Sequence, residues 1–577
     1  MAELTLAPLR ARPLPSRAIN PETLLLTLLA GYISAFALAP LLRLFVEALL
    51  AGPNGEPLGV LLSQWRSPAT RRALWNTIEA SLLSLIVSVV LGGTMALVLR
   101  STDVRAKAAL TFSLLLPLLV PPQIIALAWI ELIGPSSPIL APLGLAPEPG
   151  TTNPLYSKWG IVLIMGIEHS TLVFLAVRAG LQAVPRDLVE SARLAGAAPF
   201  RVVRSVMMPL VMPSLLGGAA MSFVSSVGNF GTPAVLGIPA GYPVLTTLIY
   251  QRLQGFGPRV LGQVAALALI LAALAVAGLA ARAFFAARAR GTIERSSAPF
   301  EGFVLGRWRV PVEFASWGVV AVVAIMPLLA LVAGSLSSAL GVALNPGTAT
   351  LDNYRFVLAN DATHRAFLNS FFLALTAALA SIAVAVPLAY FVVMQHRPVA
   401  RGLDLVADLP YAIPGTVLGI GVILLFLRPL PIVDASIYGT IWLLLAAYFA
   451  RFLALGLRPT MAGMELVNRA LDEAGQVAGA GVVRRLRSIM LPLVAPSATA
   501  GALLIFMTAF NELTVSALLW STGNETVGVT IFLLHYEGNS PAAAALATLS
   551  VGLILGLALL MSGLGRHLPQ GVVPWRA

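Results

Sequence analysis

The segments LVESARLAGAAPFRVVRSVMMPLVMPS (188–214) and LDEAGQVAGAGVVRRLRSIMLPLVAPS (471–497) are two versions of one pattern, 283 residues apart. Each carries an acidic residue, Glu190 or Glu473, then small residues ending in a glycine, Gly196 or Gly479. A basic stretch follows and reaches a proline, Pro209 or Pro492, where a long apolar run takes over. Matches further out extend the duplication. RALWNTIEASL (72–82) pairs with RAFLNSFFLAL (365–375), and LPLLVP (116–121) with LPYAIP (409–414), both at an offset of 293. The drop from 293 to 283 fits a shorter loop in the second half. A repeat this long must be recognised before any fold is argued, because it makes the chain two copies of one unit.

Composition says what kind of unit. Of 577 residues, 58% are hydrophobic and only 11% charged, and mean hydropathy is +0.88. A soluble chain carries roughly a quarter charged residues, so a water-soluble core is excluded. Twelve apolar stretches are each long enough to cross a bilayer: 24–47, 73–99, 108–133, 157–178, 211–236, 261–285, 312–336, 366–394, 404–427, 436–457, 493–520 and 541–564. The expected fold is all-α and polytopic, with about twelve transmembrane helices in two tandem six-helix halves. The first stretch follows a basic tail (Arg10, Arg12, Arg17) without an A-x-A-like site, so it reads as a retained helix rather than a signal peptide. The absence of cysteine excludes disulfides, thiol catalysis and thiolate metal sites. A net charge of +12 in so apolar a chain points to basic loops at a membrane surface, not to nucleic acid.

The loops set the expected orientation. With the N-terminus in the cytoplasm, the inside segments are 1–23, 100–107, 178–210, 282–311, 395–403, 451–492 and 565–577. They hold 27 of the 37 Arg and Lys residues, the positive-inside bias. The Pro- and Gly-rich segment 134–156 reads as an ordered external loop. The expected divisions are a tail (1–23), a first transmembrane domain (24–285), a basic linker (286–311), a second transmembrane domain (312–564) and a second tail (565–577). Six spans per half is an even number, so the copies face the same way about an axis along the membrane normal.

The paired loops resemble the EAA loop of binding-protein-dependent ABC permeases (the MetI-like group), whose pattern is E-A-A, three residues, G, nine residues, I-x-L-P. The first copy supplies Glu190, Ser191, Ala192, Gly196, Val206 and Pro209; the second supplies Glu473, Ala474, Gly475, Gly479, Ile489, Leu491 and Pro492. Ser191 and Gly475 stand where the pattern has alanine, and Val206 and Met208 replace its apolar pair. The resemblance implies a short surface helix that fits a groove on a separate ATPase. Small residues (Ala192, Gly196, Ala474, Gly479) would allow close approach, and glycine a tight helix end. Glu190 and Glu473 would sit near a helix N-terminus, where negative charge is favoured, and Pro209 and Pro492 would start the climb into the next span. An ordinary amphipathic brace is the alternative.

The chain has no P-loop, which needs Gly-Lys: its only lysines, Lys107 and Lys158, follow Ala106 and Ser157. The resemblance therefore implies a non-catalytic permease without cofactors of its own. Two partner ATPase subunits would bind ATP and magnesium, and a periplasmic binding protein would deliver the solute, in a bacterial inner membrane with both termini cytoplasmic. An ion-coupled secondary transporter also has two parallel halves but gives no reason for two such loops. A membrane-embedded enzyme needs a clustered nucleophile, base or metal set, and the five scattered histidines (169, 364, 396, 535, 567) offer none.

Within the family, NFGTPAVLGIPAGYPVLTTLIYQ (229–251) and FNELTVSALLWSTGNETVGVTIFLLHYEG (510–538) look most like ferric-iron permeases; thiamine and 2-aminoethylphosphonate permeases are related. The repeat offset makes Asn229 the counterpart of Glu512. Glu512 is a candidate pathway residue, because a carboxylate at membrane depth is costly unless it meets water or a partner; a packing or gating contact is the alternative. Glu168 and His169 form a second polar pair, read as structural and hydrogen-bonded to each other. Glu131 is expected at an external helix end.

Overall fold

The structure, a computed structural model, describes residues 21–564 apart from 51–54, 256, 258, 290–301, 340, 343 and 430–433. Arg10, Arg12 and Arg17, residues 290–301 of the linker and the 565–577 tail lie outside the described residues. Among the described residues there is no β-strand, only two isolated bridges. Ten helices are long and apolar enough to span a membrane: Pro21–Ala48 (span 1), Pro68–Ser101 (span 2), Lys158–Gln182 (span 4), Pro199–Gly228 (span 5), Val260–Phe285 (span 6), Gly306–Ser335 (span 7), Asp361–Met394 (span 8), Ile441–Glu465 (span 10), Val482–Phe510 (span 11) and Ser540–Leu560 (span 12).

Spans 3 and 9 are bent pairs, Lys107–Leu119 with Pro122–Ile133 at 107° and Pro398–Ala412 with Gly415–Phe426 at 108°. The cause is local. Proline pushes the residue before it out of the helical region; Val120 and Ile413 are extended, with ψ of 127° and 146°. Segment 134–156 is turns with one short 3-10 piece, Ala141–Leu143, and no longer helix.

Proline also explains four wide turns. π-helical segments at Ser34–Leu38, Val203–Met207, Ala321–Ile325 and Leu486–Met490 each end two residues before a proline: Pro40, Pro209, Pro327 and Pro492. Proline lacks an N–H and its ring crowds the carbonyl four residues back, and widening the turn relieves both. Pro209 and Pro492 therefore do not open spans 5 and 11, as the sequence suggested. Those spans begin ten residues earlier, at Pro199 and Val482, and carry the proline inside. They also end earlier than 236 and 520: the helices stop at Gly228 and Phe510, where Asn229 and Asn511 leave helical geometry.

The two halves exchange their first helices. Span 1 packs on the second arm of span 9, and span 7 on the second arm of span 3. At the first contact a Cβ on Gly421 would lie 2.6 Å from the Pro40 carbonyl, so only glycine admits the approach. Small residues let membrane helices meet backbone to backbone. The same contact recurs inside each half: a Cβ on Gly180 would lie 2.7 Å from Ser214 Cβ, and one on Gly463 2.6 Å from Ser497 Cβ.

Candidate functional site

Two nine-residue helices occupy the segments quoted first, Arg186–Leu194 (loop helix A) and Arg469–Val477 (loop helix B). Asn468 caps B by accepting from Ala470 N–H at 3.0 Å. Both end in the same Schellman closure. The N–H of Ala197 donates to Ala192 O at 3.0 Å and that of Ala480 to Gly475 O at 2.9 Å, with Gly196 and Gly479 at φ of +80° and +77°. These glycines are thus demanded by the turn itself.

The exposed faces match residue for residue. Leu188, Leu194 and Phe200 are 47%, 90% and 76% exposed, and their counterparts Leu471, Val477 and Val483 are 45%, 91% and 57% exposed. An apolar triad is thus held out at equivalent places in both halves. Glu190 is tethered to Arg186 at 2.5 Å. Glu473 is exposed, Ser191 and Ala474 are exposed, Ala192 is half-buried and Gly475 is buried.

The intramembrane polar residues form two clusters at equivalent places. In the first half Asn229 Nδ2 donates to Glu168 Oε2 at 2.9 Å, and Thr232 Oγ1 to the same oxygen at 3.4 Å. His169 Nε2 lies 3.4 Å from Glu168 Oε1, while its Nδ1 meets Ser226 Oγ at 2.9 Å, which in turn meets Ser84 Oγ at 3.1 Å. Asn229 therefore holds Glu168. In the second half the counterpart of Glu168 is Arg451. Arg451 Nη1 donates to Pro410 O at 3.2 Å and Ile413 O at 2.8 Å, the carbonyls freed by the bend of span 9. Its guanidinium and Val515 both lie against Gly415. Glu512 is buried and accepts from the N–H groups of Val515 (2.9 Å) and Ser516 (3.0 Å) and from Ser516 Oγ (3.1 Å). The hydrogen bonds of the Glu512 side chain all fall within the turn after span 11.

Sequence reasoning missed Arg451, and also Gln123 and Asn511. Gln123 Nε2, at the start of the second arm of span 3, donates to Asn511 O at 3.0 Å and so bridges the halves. The side chain of Asn511 is buried with neither amide atom hydrogen-bonded. The 283-residue offset, applied to Glu168, would have found Arg451; nothing in the sequence pairs Gln123 with Asn511. Glu131 packs beneath Gly334 of span 7.

A duplicated helical membrane protein that holds out one matching apolar loop helix per half is a transport permease of two fused halves. The chain belongs to the family described as "Binding-protein-dependent transport system inner membrane component", which matches residues 88–291 and 381–573, and it is an ABC importer permease subunit. It is 27% identical over 557 residues to "Probable ABC transporter permease protein y4fN" of Sinorhizobium fredii, across 95% of this chain and 96% of that one. It is 23% identical over 545 residues to the ferric transport system permease protein FbpB of Actinobacillus pleuropneumoniae, across 91% of this chain and 75% of that one. Similarity also reaches the galactooligosaccharides transport system permease GanP of Bacillus subtilis, 29% over 201 residues, 32% of this chain and 48% of that one.

Proposed function

We propose that the chain moves ferric iron inward across a bacterial inner membrane by alternating access, driven by two copies of an ABC ATPase seated on loop helices A and B. The observation that carries this is the pair of apolar triads, Leu188/Leu194/Phe200 and Leu471/Val477/Val483, held out at equivalent positions. ATP and magnesium belong to the ATPases, and the permease does no covalent chemistry. It supplies contacts that differ between inward- and outward-facing states, which is all that coupling requires. Loop helices A and B face the cytoplasm in this reading, on the side assigned 26 of the 37 basic residues once Arg451 is set within span 10. A periplasmic binding protein docks opposite. Iron as cargo is supported by ferric permeases that match 83% to 91% of this chain. The ligand that the cognate binding protein retains on purification tests it, and a sugar or phosphonate there would overturn it.

Charge reversal at both loop-helix acids tests the docking. E190K/E473K is expected to abolish solute-stimulated ATP hydrolysis while the purified chain stays monodisperse. Stimulation at the wild-type level would remove these residues from the docking surface.

A further inference from the structure

The two loop helices are alike outside and unlike beneath. In the first half the inward side rests on Val189 and Val202, both 0% exposed in one apolar cluster that Leu97 of span 2 borders. The counterparts of Leu97, Val189 and Val202 in the second half are Tyr390, Asp472 and Arg485. They meet one another. Tyr390 OH donates to Asp472 Oδ1 at 3.0 Å, Arg485 Nε lies 3.3 Å from that oxygen, and Gln476 Nε2 donates to Asp472 Oδ2 at 2.8 Å. Asp472 and Arg485 are 5% and 6% exposed.

A fourth exchange goes with these three. Gly475 stands where the first half has Ala192, and a Cβ there would lie 2.9 Å from Ile489 Cδ1 and 3.1 Å and 3.2 Å from Arg485 Cδ and Cγ. The departure from the E-A-A pattern thus leaves space that the arginine stem and Ile489 share. A buried ion pair gives little net stability over an apolar pair of similar volume, but removing one partner strands a charge. Its attested use is to fix one geometry among several. The same half holds a second ionic tie: Arg458 meets Asp404 at 2.9 Å and also pairs with Asp408, where the first half has Leu175, Thr111 and Leu115.

We propose that Tyr390, Asp472 and Arg485 are positioning residues that lock loop helix B to the end of span 8 and the start of span 11, so that the ATPase on this half pushes on a rigid handle. Loop helix A, by contrast, rests on an apolar seat. The inference rests on the docking reading above.

The test uses the whole importer, this chain with its ATPase subunits and binding protein, reconstituted in lipid. Three variants are compared with wild type: D472V, the charge-swapped D472R/R485D, and Y390L/D472V/G475A/R485V, which installs the first half's residues. The readout is solute moved per ATP hydrolysed by folded, ATPase-loaded transporter, which a defect in stability alone does not change. D472V is expected to lower that ratio about tenfold, in the range of couplings between residues in contact. The four-residue variant should return to within about threefold of wild type. A D472V ratio equal to wild type would overturn the proposal, as would a four-residue variant no better than D472V. Should D472V not fold, the other two decide: recovery in either supports the proposal and recovery in neither overturns it. If wild type itself retains no ATPase, the docking reading fails instead, which separates the two.

Discussion

Methionine in place of Arg451 is expected to remove most of the folded protein. Arg451 answers three needs at once. The bend of span 9 frees backbone carbonyls within the membrane, and Arg451 Nη1 satisfies those of Pro410 and Ile413. Its guanidinium lies against the same glycine, Gly415, as Val515, whose N–H holds the buried Glu512. The guanidinium also fills the space above Gly415, whose Cβ would lie 3.3 Å from Arg451 Cζ. Each buried polar group left without a partner costs about 1–3 kcal/mol, and more where it carries charge. Against a net stability of about 5–15 kcal/mol such a loss is not survivable intact. In detergent, R451M should lose its monodisperse peak. R451M/E512Q should regain part of it, since the carboxylate is then neutral while the two carbonyls stay unsatisfied. An R451M chain as stable as wild type would mean that the bend needs no cation.

Aspartate at Leu194 and Val477 together is expected to strip the ATPase from the permease. These are the most exposed apolar residues of their helices, at 90% and 91%, and no described residue covers them. Well-seated interface anchors are worth about 2 kcal/mol or more apiece, so one substitution should weaken retention about thirtyfold at its own site. Both together should leave no ATPase after affinity purification. The fold is not at risk, because neither side chain packs inward. Unchanged retention would show that the ATPase grips something else.

How much of this could be read from the sequence follows the range of the forces involved. Hydropathy and the 283- and 293-residue offsets yield the helical class, the two halves and the loop helices, because apolar runs and a Schellman glycine are local signals. The ends of spans 5 and 11 misread because Pro209 and Pro492 look like helix starts, whereas a π turn before each carries the helix through. The bends at Val120 and Ile413 are legible in hindsight as residues before proline. Glu512 attracts notice as a lone carboxylate, but Arg451 reads as an ordinary basic residue at the end of a span until the repeat sets it opposite Glu168. The Asp472–Arg485 pair spans thirteen residues across a turn, too far for a helix-face rule and visible only against Val189 and Val202. Gln123 and Asn511 come together solely through the packing of the two halves.

The chain contains no cysteine, so a single introduced thiol reports one place without background. Leu194→Cys and Val477→Cys, each made alone in the assembled importer, should crosslink to the ATPase subunit through a short thiol-reactive linker and stay unlabelled by a membrane-impermeant thiol reagent applied to intact cells. Labelling of either position from outside, or failure of both to crosslink while the ATPase remains bound, would contradict the claim that loop helices A and B are where the motor takes hold.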